Sequence, residues 1–310
     1  MLRQLDTARA ALQRRLPTQD ALQRSLGHVG ERVRDRVRHD VDRLSPVLRR
    51  SLGQVRQRVR DDVRRLQPVL RRSLAHVRER VRNDVHWLAL SPIAREALNL
   101  RLTYLSARKL HTLERCLEEI DQRDVPGDFI ECGVALGGSA IVIASHLSLG
   151  RRFHGYDVFG MIPPPSERDD SWAHRRYDVI RSGDSPGIGG APYYGYIENL
   201  YALVLDNFRG FGFEPDGRSI ALHPGLFEDT LHLPPERQVA FAHIDCDWHD
   251  PVALCLERIH ERLSPGGLIV LDDYNDYGGC REATDAFLAR HDDMELRSAR
   301  AGAVLYRRGA

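Results

Sequence analysis

The chain has 310 residues, 42% of them hydrophobic, and its 45 basic side chains nearly balance 44 acidic ones. That length suits one catalytic domain of about 200 residues plus an extension; no apolar run nears the ~20 residues that span a bilayer, and the start lacks the apolar stretch of a secretory signal. The five cysteines, Cys116, Cys132, Cys246, Cys255 and Cys280, are odd in number and lack zinc spacing, which argues against a disulfide framework and predicts a cytoplasmic protein.

The small net charge hides two oppositely charged parts. Residues 1–90 carry 22 Arg, no Lys and 10 acids, a net of +12, while the remaining 220 residues carry a net of −11. This arm repeats itself: residues 45–66 (SPVLRRSLGQVRQRVRDDVRRL) recur at 67–88 (QPVLRRSLAHVRERVRNDVHWL), a period of 22. Its apolar positions, Leu48, Leu52, Val55, Val59, Val63 and Leu66 and their equivalents in the second copy, are spaced 4, 3, 4, 4, 3. That is an 11-residue helical repeat with a nearly straight apolar stripe. Ser45-Pro46 has the form of a helix start, Ser as cap and Pro in the first turn. The pattern predicts successive amphipathic helices of about 20 residues, or one long helix kinked at Pro46 and Pro68. A stripe this narrow builds no core of its own, so it needs a partner. The candidates are a second copy of the arm (a homo-oligomer), an anionic membrane surface or the acidic body of the chain. Acids such as Asp61 and Asp62 interrupt the basic face and make nucleic acid the poorer fit.

Residues 91–310 read as one α/β catalytic domain. An amphipathic stretch at 93–120 is a helical lead-in. Residues 127–140 (GDFIECGVALGGSA) then read as strand, glycine turn and helix, with Gly133, Gly137 and Gly138 in the turn and Ser139 opening the helix. Dinucleotide binders use G-x-G-x-x-G to rest a pyrophosphate on the helix N-terminus. The spacing here is G-x-x-x-G-G, preceded by Glu131. An acid beside the loop repels a pyrophosphate and suits a cationic ligand such as S-adenosylmethionine, with its sulfonium and α-amino groups. A second strand, 153–156, ends in Asp157, placed to accept hydrogen bonds from ribose hydroxyls. Residues 163–197 are rich in Pro, Gly, Tyr and charge, and an insertion of this length is expected to be a lid. Its tyrosines can stack on a sugar, and Arg175 and Arg176 can meet a phosphate on a nucleotide- or lipid-linked one.

Downstream, apolar runs at 239–244 (VAFAHI) and 267–271 (GLIVL) each end in acid, Asp245-Cys246-Asp247 and Asp272-Asp273. Parallel strands of an open sheet present their carboxyl ends at one ligand-binding edge. Carboxylates gathered there repel one another unless a cation sits between them, and an oxygen-only site suits Mg²⁺ or another hard divalent ion.

These pieces resemble the macrocin O-methyltransferase family. The matching blocks are GDFIECGVALGGSA, DVFGMIPPP at 157–165, NLYALVLDNFRGFGF at 199–213, HPGLFEDTL at 223–231, IDCDWHD at 244–250 and SPGGLIVLDDY at 264–274. The resemblance implies a Rossmann-like class I methyltransferase with a mostly parallel, doubly wound sheet. It implies transfer from S-adenosylmethionine to a sugar hydroxyl of a glycan or glycosylated natural product. It also implies a metal held by Asp245, Asp272 and Asp273, adenine packed on the turn bearing Leu226 and Phe227, and Phe159 among the cofactor residues. Two positions depart from the family pattern, Cys246 where glycine is usual and His249 where tyrosine is usual. Asp245 is therefore expected as metal ligand and base, with the His249 imidazole beside the metal as a rival base. A metal-dependent glycosyltransferase built on Asp245-x-Asp247, or a non-catalytic membrane or oligomerisation scaffold carried by the arm, are the alternatives.

Overall fold

A computed structural model describes residues 85–148 and 150–309; the arm repeats up to residue 84 lie outside the described residues, and the end of the second copy, 85–88, is helical. The chain divides into two compact units, Met1–Val85 and His86–Ala310, and the described sheet belongs to the second. The helical lead-in is broken in two. Helix α1 (Pro92–Asn99) has Ser91 as cap, its side chain accepting from the Ala94 amide, and Pro at its start. Helix α2 (Ala107–Gln122) starts at Ser106, whose hydroxyl accepts from the Lys109 amide. Between them Arg101 takes φ 60°, and the Leu102 carbonyl accepts the Gly138 amide at 2.9 Å. The break thus lays residues 100–106 against the glycine turn.

Strands β1 (Asp128–Cys132), β2 (Phe153–Asp157), β3 (Ile220–Pro224), β4 (Val239–Ile244), β5 (Leu263–Leu271), β6 (Met294–Ser298) and β7 (Ala303–Arg307) form a seven-stranded sheet in the order β3-β2-β1-β4-β5-β7-β6. β1 to β5 pair in parallel, and β7 runs antiparallel to β5 and β6. Strands buried on both faces read as unbroken apolar runs rather than alternating ones, and all six residues of β4 are buried. The strand order reverses between β1 and β4, which is where open sheets of this kind leave a ligand crevice.

Helices cover both faces: α3 (Gly138–Ala144), α4 (Ser171–Arg181), α5 (Leu200–Gly210), the single turn α6 (Phe227–Thr230), α7 (His249–His260) and α8 (Gly278–Arg290). The strand alternation splits the core in two. Phe129, Phe153 and Phe241 join Leu113, Ile141 and Phe208 on one face. Ile130, Cys132 and Ile244 join Leu256, Ile259 and Phe287 on the other. Phe129 and Phe241 meet edge to face at 5.9 Å. Truncating Phe241 to Ala in this closed layer should cost about 3–5 kcal/mol in chemical denaturation, and a loss under about 1 kcal/mol would contradict its placement.

Each strand end is tied to its neighbour by the next residue along. Gly133 N–H donates to Tyr156 O, Asp245 N–H to Cys132 O, Asp272 N–H to Ile244 O and Gly225 N–H to Asp157 O, all at 2.8–3.0 Å. The carboxyl ends of five strands therefore form one continuous rim.

Candidate active site at the carboxyl edge of the sheet

The glycine turn is fixed by contact with the neighbouring strand end. Gly133 has φ +94°, and a Cβ there would lie 1.8 Å from the Asp245 carbonyl oxygen. Only glycine lets these two segments touch. The next two amides, Val134 and Ala135, donate to Asp157 Oδ2 at 2.7 and 2.9 Å, and the Phe159 amide donates to Oδ1 at 2.6 Å. Asp157 thus organises the loop at the position where a ribose was expected. Burial pushes its carboxyl up while the three amides pull it down; the amides need an acceptor, which favours the carboxylate. Three of its roughly four lone-pair sites are in use.

Three expected cofactor residues also have contacts within the protein. Glu131 is 0% exposed, and its Oε1 lies 2.8 Å from His243 Nδ1 across the β1–β4 pair. It lies on the same face of β1 as Phe129, and its second oxygen, Oε2, is buried without a hydrogen-bond partner. Phe159 is buried, with φ 48°, and its ring packs on Tyr201 at 5.0 Å. Its backbone amide is one of the three that Asp157 accepts. Gly138 packs on residue 102, where a Cβ would sit 2.4 Å from the Leu102 carbonyl. Gly137 caps α3 in the left-handed region, and Ser139 is buried in that helix's first turn. Leu226 is exposed and Phe227 half-buried on the turn beside Asp157, an open apolar surface where an adenine was expected.

The acidic rim lies one strand over. Asp245, Asp272 and Asp273 each place a carboxylate oxygen within 4.8 Å of the other two. Asp247, at φ 59°, completes the group, its amide donating to Asp273 Oδ2 at 3.1 Å. Burial first, and then the neighbouring aspartates, push Asp245 and Asp273 well above the usual carboxylate range. Burial and Asp272 push Asp247 up to about 7. Two such charges about 4 Å apart repel by about 4 kcal/mol at an effective dielectric of about 20. A donor set of carboxylate oxygens alone fits Mg²⁺, Mn²⁺ or Ca²⁺ and not a thiolate- or imidazole-seeking ion.

These acids hold protons in the folded chain that the unfolded chain has already lost, so metal-free stability falls as pH rises towards about 7. A divalent ion has to displace the same protons, so its affinity should increase as pH rises through about 7, by up to roughly tenfold per unit per proton released. Calorimetric titration at several pH values checks this, and a falling affinity would contradict it.

The insertion at 163–197 is folded over this edge. Helix α4 is capped by Asp170, which accepts from the Trp172 and Ala173 amides. Trp248 Nε1 donates to Pro163 O at 2.9 Å, and Tyr196 Oη donates to Ile180 O at 2.6 Å. Tyr104, Tyr193 and Tyr194 pack together, with Tyr193 and Tyr194 4.4 Å apart. The Arg176 guanidinium lies 5.9 Å from the Tyr193 ring, and its charge draws Asp247 downward. Burial holds the Tyr194 hydroxyl well above its ordinary value, and the charges of Asp157 and Asp247 add to this.

With this geometry in view, comparison with known proteins decides the family. The model for Macrocin-O-methyltransferase (TylF) matches residues 38–308. The chain belongs to the macrocin O-methyltransferase family. It is 32% identical over 193 residues to the 8-demethyl-8-(2,3-dimethoxy-alpha-L-rhamnosyl)-tetracenomycin-C 4'-O-methyltransferase of Streptomyces olivaceus, covering 61% of this chain and 68% of that one. It is 30% identical over 198 residues to the mycinamicin III 3''-O-methyltransferase of Micromonospora griseorubida, covering 61% and 71%. Among solved structures, the O-methyltransferase NovP matches with a TM-score of 0.56 and 25% identity over 67% of this chain and 82% of that one. The chain is thus an S-adenosylmethionine-dependent O-methyltransferase with the Rossmann-like fold expected, and the glycosyltransferase reading of Asp245-x-Asp247 loses its support.

Within this macrocin O-methyltransferase fold, His249 opens α7 and is buried. Its amide donates to Asp169 Oδ1, and its Nδ1 pairs with Asp250 at 2.8 Å. Three further members of the site carry weak sequence signals. Asp247 is visible only as the second acid of a pair. Arg176 is one arginine among many. Lys109, the only lysine in the chain, holds Asp272 at 2.7 Å and Asp276 at 2.8 Å.

Proposed function

We propose that the enzyme methylates a sugar hydroxyl of a glycosylated natural product, with a divalent cation at Asp245, Asp272 and Asp273. The convergence of those three carboxylate oxygens within 4.8 Å carries the reading; the sugar-modifying relatives support the acceptor class. When bound, S-adenosylmethionine supplies the electrophilic methyl and the cation supplies Lewis-acid polarisation of the attacking hydroxyl.

The protein's own contribution divides among three groups of residues. The loop held by Asp157 and the Leu226–Phe227 turn bind the nucleoside end of the cofactor. Tyr193 and Tyr194 close over the crevice, exclude water and offer faces for a sugar ring. Asp247, held at the rim by its amide bond to Asp273 Oδ2 at 3.1 Å, receives the hydroxyl proton on its carboxylate, which the bound cation keeps ionised. This moves the base one acid along from Asp245, whose oxygen is engaged at the cation.

Transfer of a deuterated methyl from S-adenosylmethionine to rhamnosyl glycosides, followed by mass spectrometry with Mg²⁺ and after chelation, tests the reading. Label on the sugar with Mg²⁺ alone is expected. Equal transfer after chelation would remove the metal, and label on a non-sugar hydroxyl would change the acceptor class.

For the arm we propose association, either with a second copy or with an anionic membrane surface from the cytoplasmic side. Flotation with anionic liposomes should be lost on deleting residues 1–90 if the partner is a membrane. Flotation that survives the deletion would assign membrane binding to another part of the chain.

A further inference from the structure

The chain has one lysine and 44 arginines, and that lysine lies against the acidic rim. Lys109 sits in the first turn of α2, whose start is fixed by Ser106. Its ammonium contacts Asp272 and Asp276 at 2.7 and 2.8 Å, and its side chain is 22% exposed. Burial alone would weaken its charge, but the two aspartates more than offset this and hold it protonated. Its field also reaches Asp245, Asp247 and Asp273, drawing each carboxyl downward. Asp272, which Lys109 contacts, has a carboxylate oxygen within 4.8 Å of those of Asp245 and Asp273, so the ammonium borders the acidic group. A compact point charge with three donors can serve carboxylates on two sides at once, whereas a guanidinium is best at gripping one in a plane.

We propose that Lys109 is the resident counter-cation of the acidic cluster, holding its carboxylates together when no divalent ion is bound and sharing Asp272 with the ion when one is. The inference rests on the metal reading above and adds to it a reason why the metal-free cluster stays folded. It also sets a direction for affinity. Ammonium and ion draw on the same negative field, so the ion binds more weakly than it would to the carboxylates alone. A neutral side chain at 109 should leave the metal-free chain less stable and more dependent on the ion.

Lys109→Gln and Lys109→Arg, compared with wild type near neutral pH, separate this role from its rivals. Thermal unfolding is followed in chelator and in saturating Mg²⁺, and the Mg²⁺ Kd is measured by calorimetry. For the Gln variant the expected result is a Tm lowered by about 4–8 °C in chelator, largely recovered by Mg²⁺, with Mg²⁺ bound roughly three- to tenfold more tightly. Arg at 109 keeps the charge but not the compact two-sided geometry, so both values should fall between those of wild type and the Gln variant. A Gln variant that unfolds in chelator and is restored by Mg²⁺ supports the proposal equally; one that Mg²⁺ does not restore overturns it. An equal Tm loss with and without Mg²⁺ would make Lys109 an ordinary structural ion pair. Weaker Mg²⁺ binding by the Gln variant would mean that it orients Asp272 rather than competing for the field. Failure of wild type itself to bind Mg²⁺ would overturn the metal reading, and is told apart because it is seen without any substitution.

Discussion

Asp273→Asn should reduce metal-dependent methyl transfer by about a thousandfold or more, some ~4 kcal/mol of barrier, while leaving the metal-free protein as stable as wild type or more so. The two halves of this result have one cause. Asp273 is pushed well above the usual carboxylate range by burial and by Asp247 and Asp272, so its charge opposes folding until a cation arrives. The asparagine oxygen can still accept from the Asp247 amide, a bond of 3.1 Å in the wild type. The shape is kept and only the anionic ligand is lost. Asp245→Asn should behave alike. Residues that trade stability for function in this way are typical of working sites. Steady-state transfer at saturating Mg²⁺ beside thermal unfolding in chelator reads both effects. Retained activity would remove these residues from the metal site, and a large fall in metal-free stability would show that their charge is structurally required.

Asp157→Ala should produce the opposite profile, a loss of stability together with a loss of cofactor binding. Three backbone amides, of Val134, Ala135 and Phe159, lose their acceptor. A buried donor left unsatisfied costs about 1–3 kcal/mol, and partial hydration of the loop keeps the sum nearer the low end, about 3 kcal/mol in all. The loop that should meet the cofactor is then no longer fixed, and S-adenosylmethionine affinity should fall by roughly 100-fold or more, about 2.7 kcal/mol. Asp157→Asn keeps one acceptor oxygen and should fall between. Calorimetric titration with S-adenosylmethionine and urea denaturation measure the two consequences. Wild-type affinity in a destabilised Ala variant would place the cofactor away from this loop.

The acidic rim is legible in the sequence because two apolar runs each end in paired acids, and parallel strands put their carboxyl ends together. The glycine turn is legible for a similar reason: Gly133 answers a backbone contact that no other residue allows. Glu131 is legible by its nearness to the loop, but its partner His243 is not, because it lies 112 residues along on β4. Glu131 alternates in step with Phe129, which already assigns it to the interior. Lys109 stands out for its rarity, yet its role is hidden because its partners Asp272 and Asp276 lie more than 160 residues away. The break at Arg101 and Ser106 is masked by an amphipathic pattern that runs through it. Helix α4 does carry a local signal, Asp170 ahead of SWAHRRYDVIR, but the surrounding Pro and Gly obscure it. His249 stands out in the sequence by its spacing from Asp245, whereas its pairing with Asp250 is a local contact that spacing does not announce.

The central claim, that this sheet edge is a divalent-cation site, is tested most directly by titrating Mg²⁺ into chelator-treated protein by calorimetry, wild type beside Asp245→Asn. One saturable site per chain in the wild type, lost in the variant, is the predicted result. No saturable binding in the wild type, or equal binding in the variant, would contradict it.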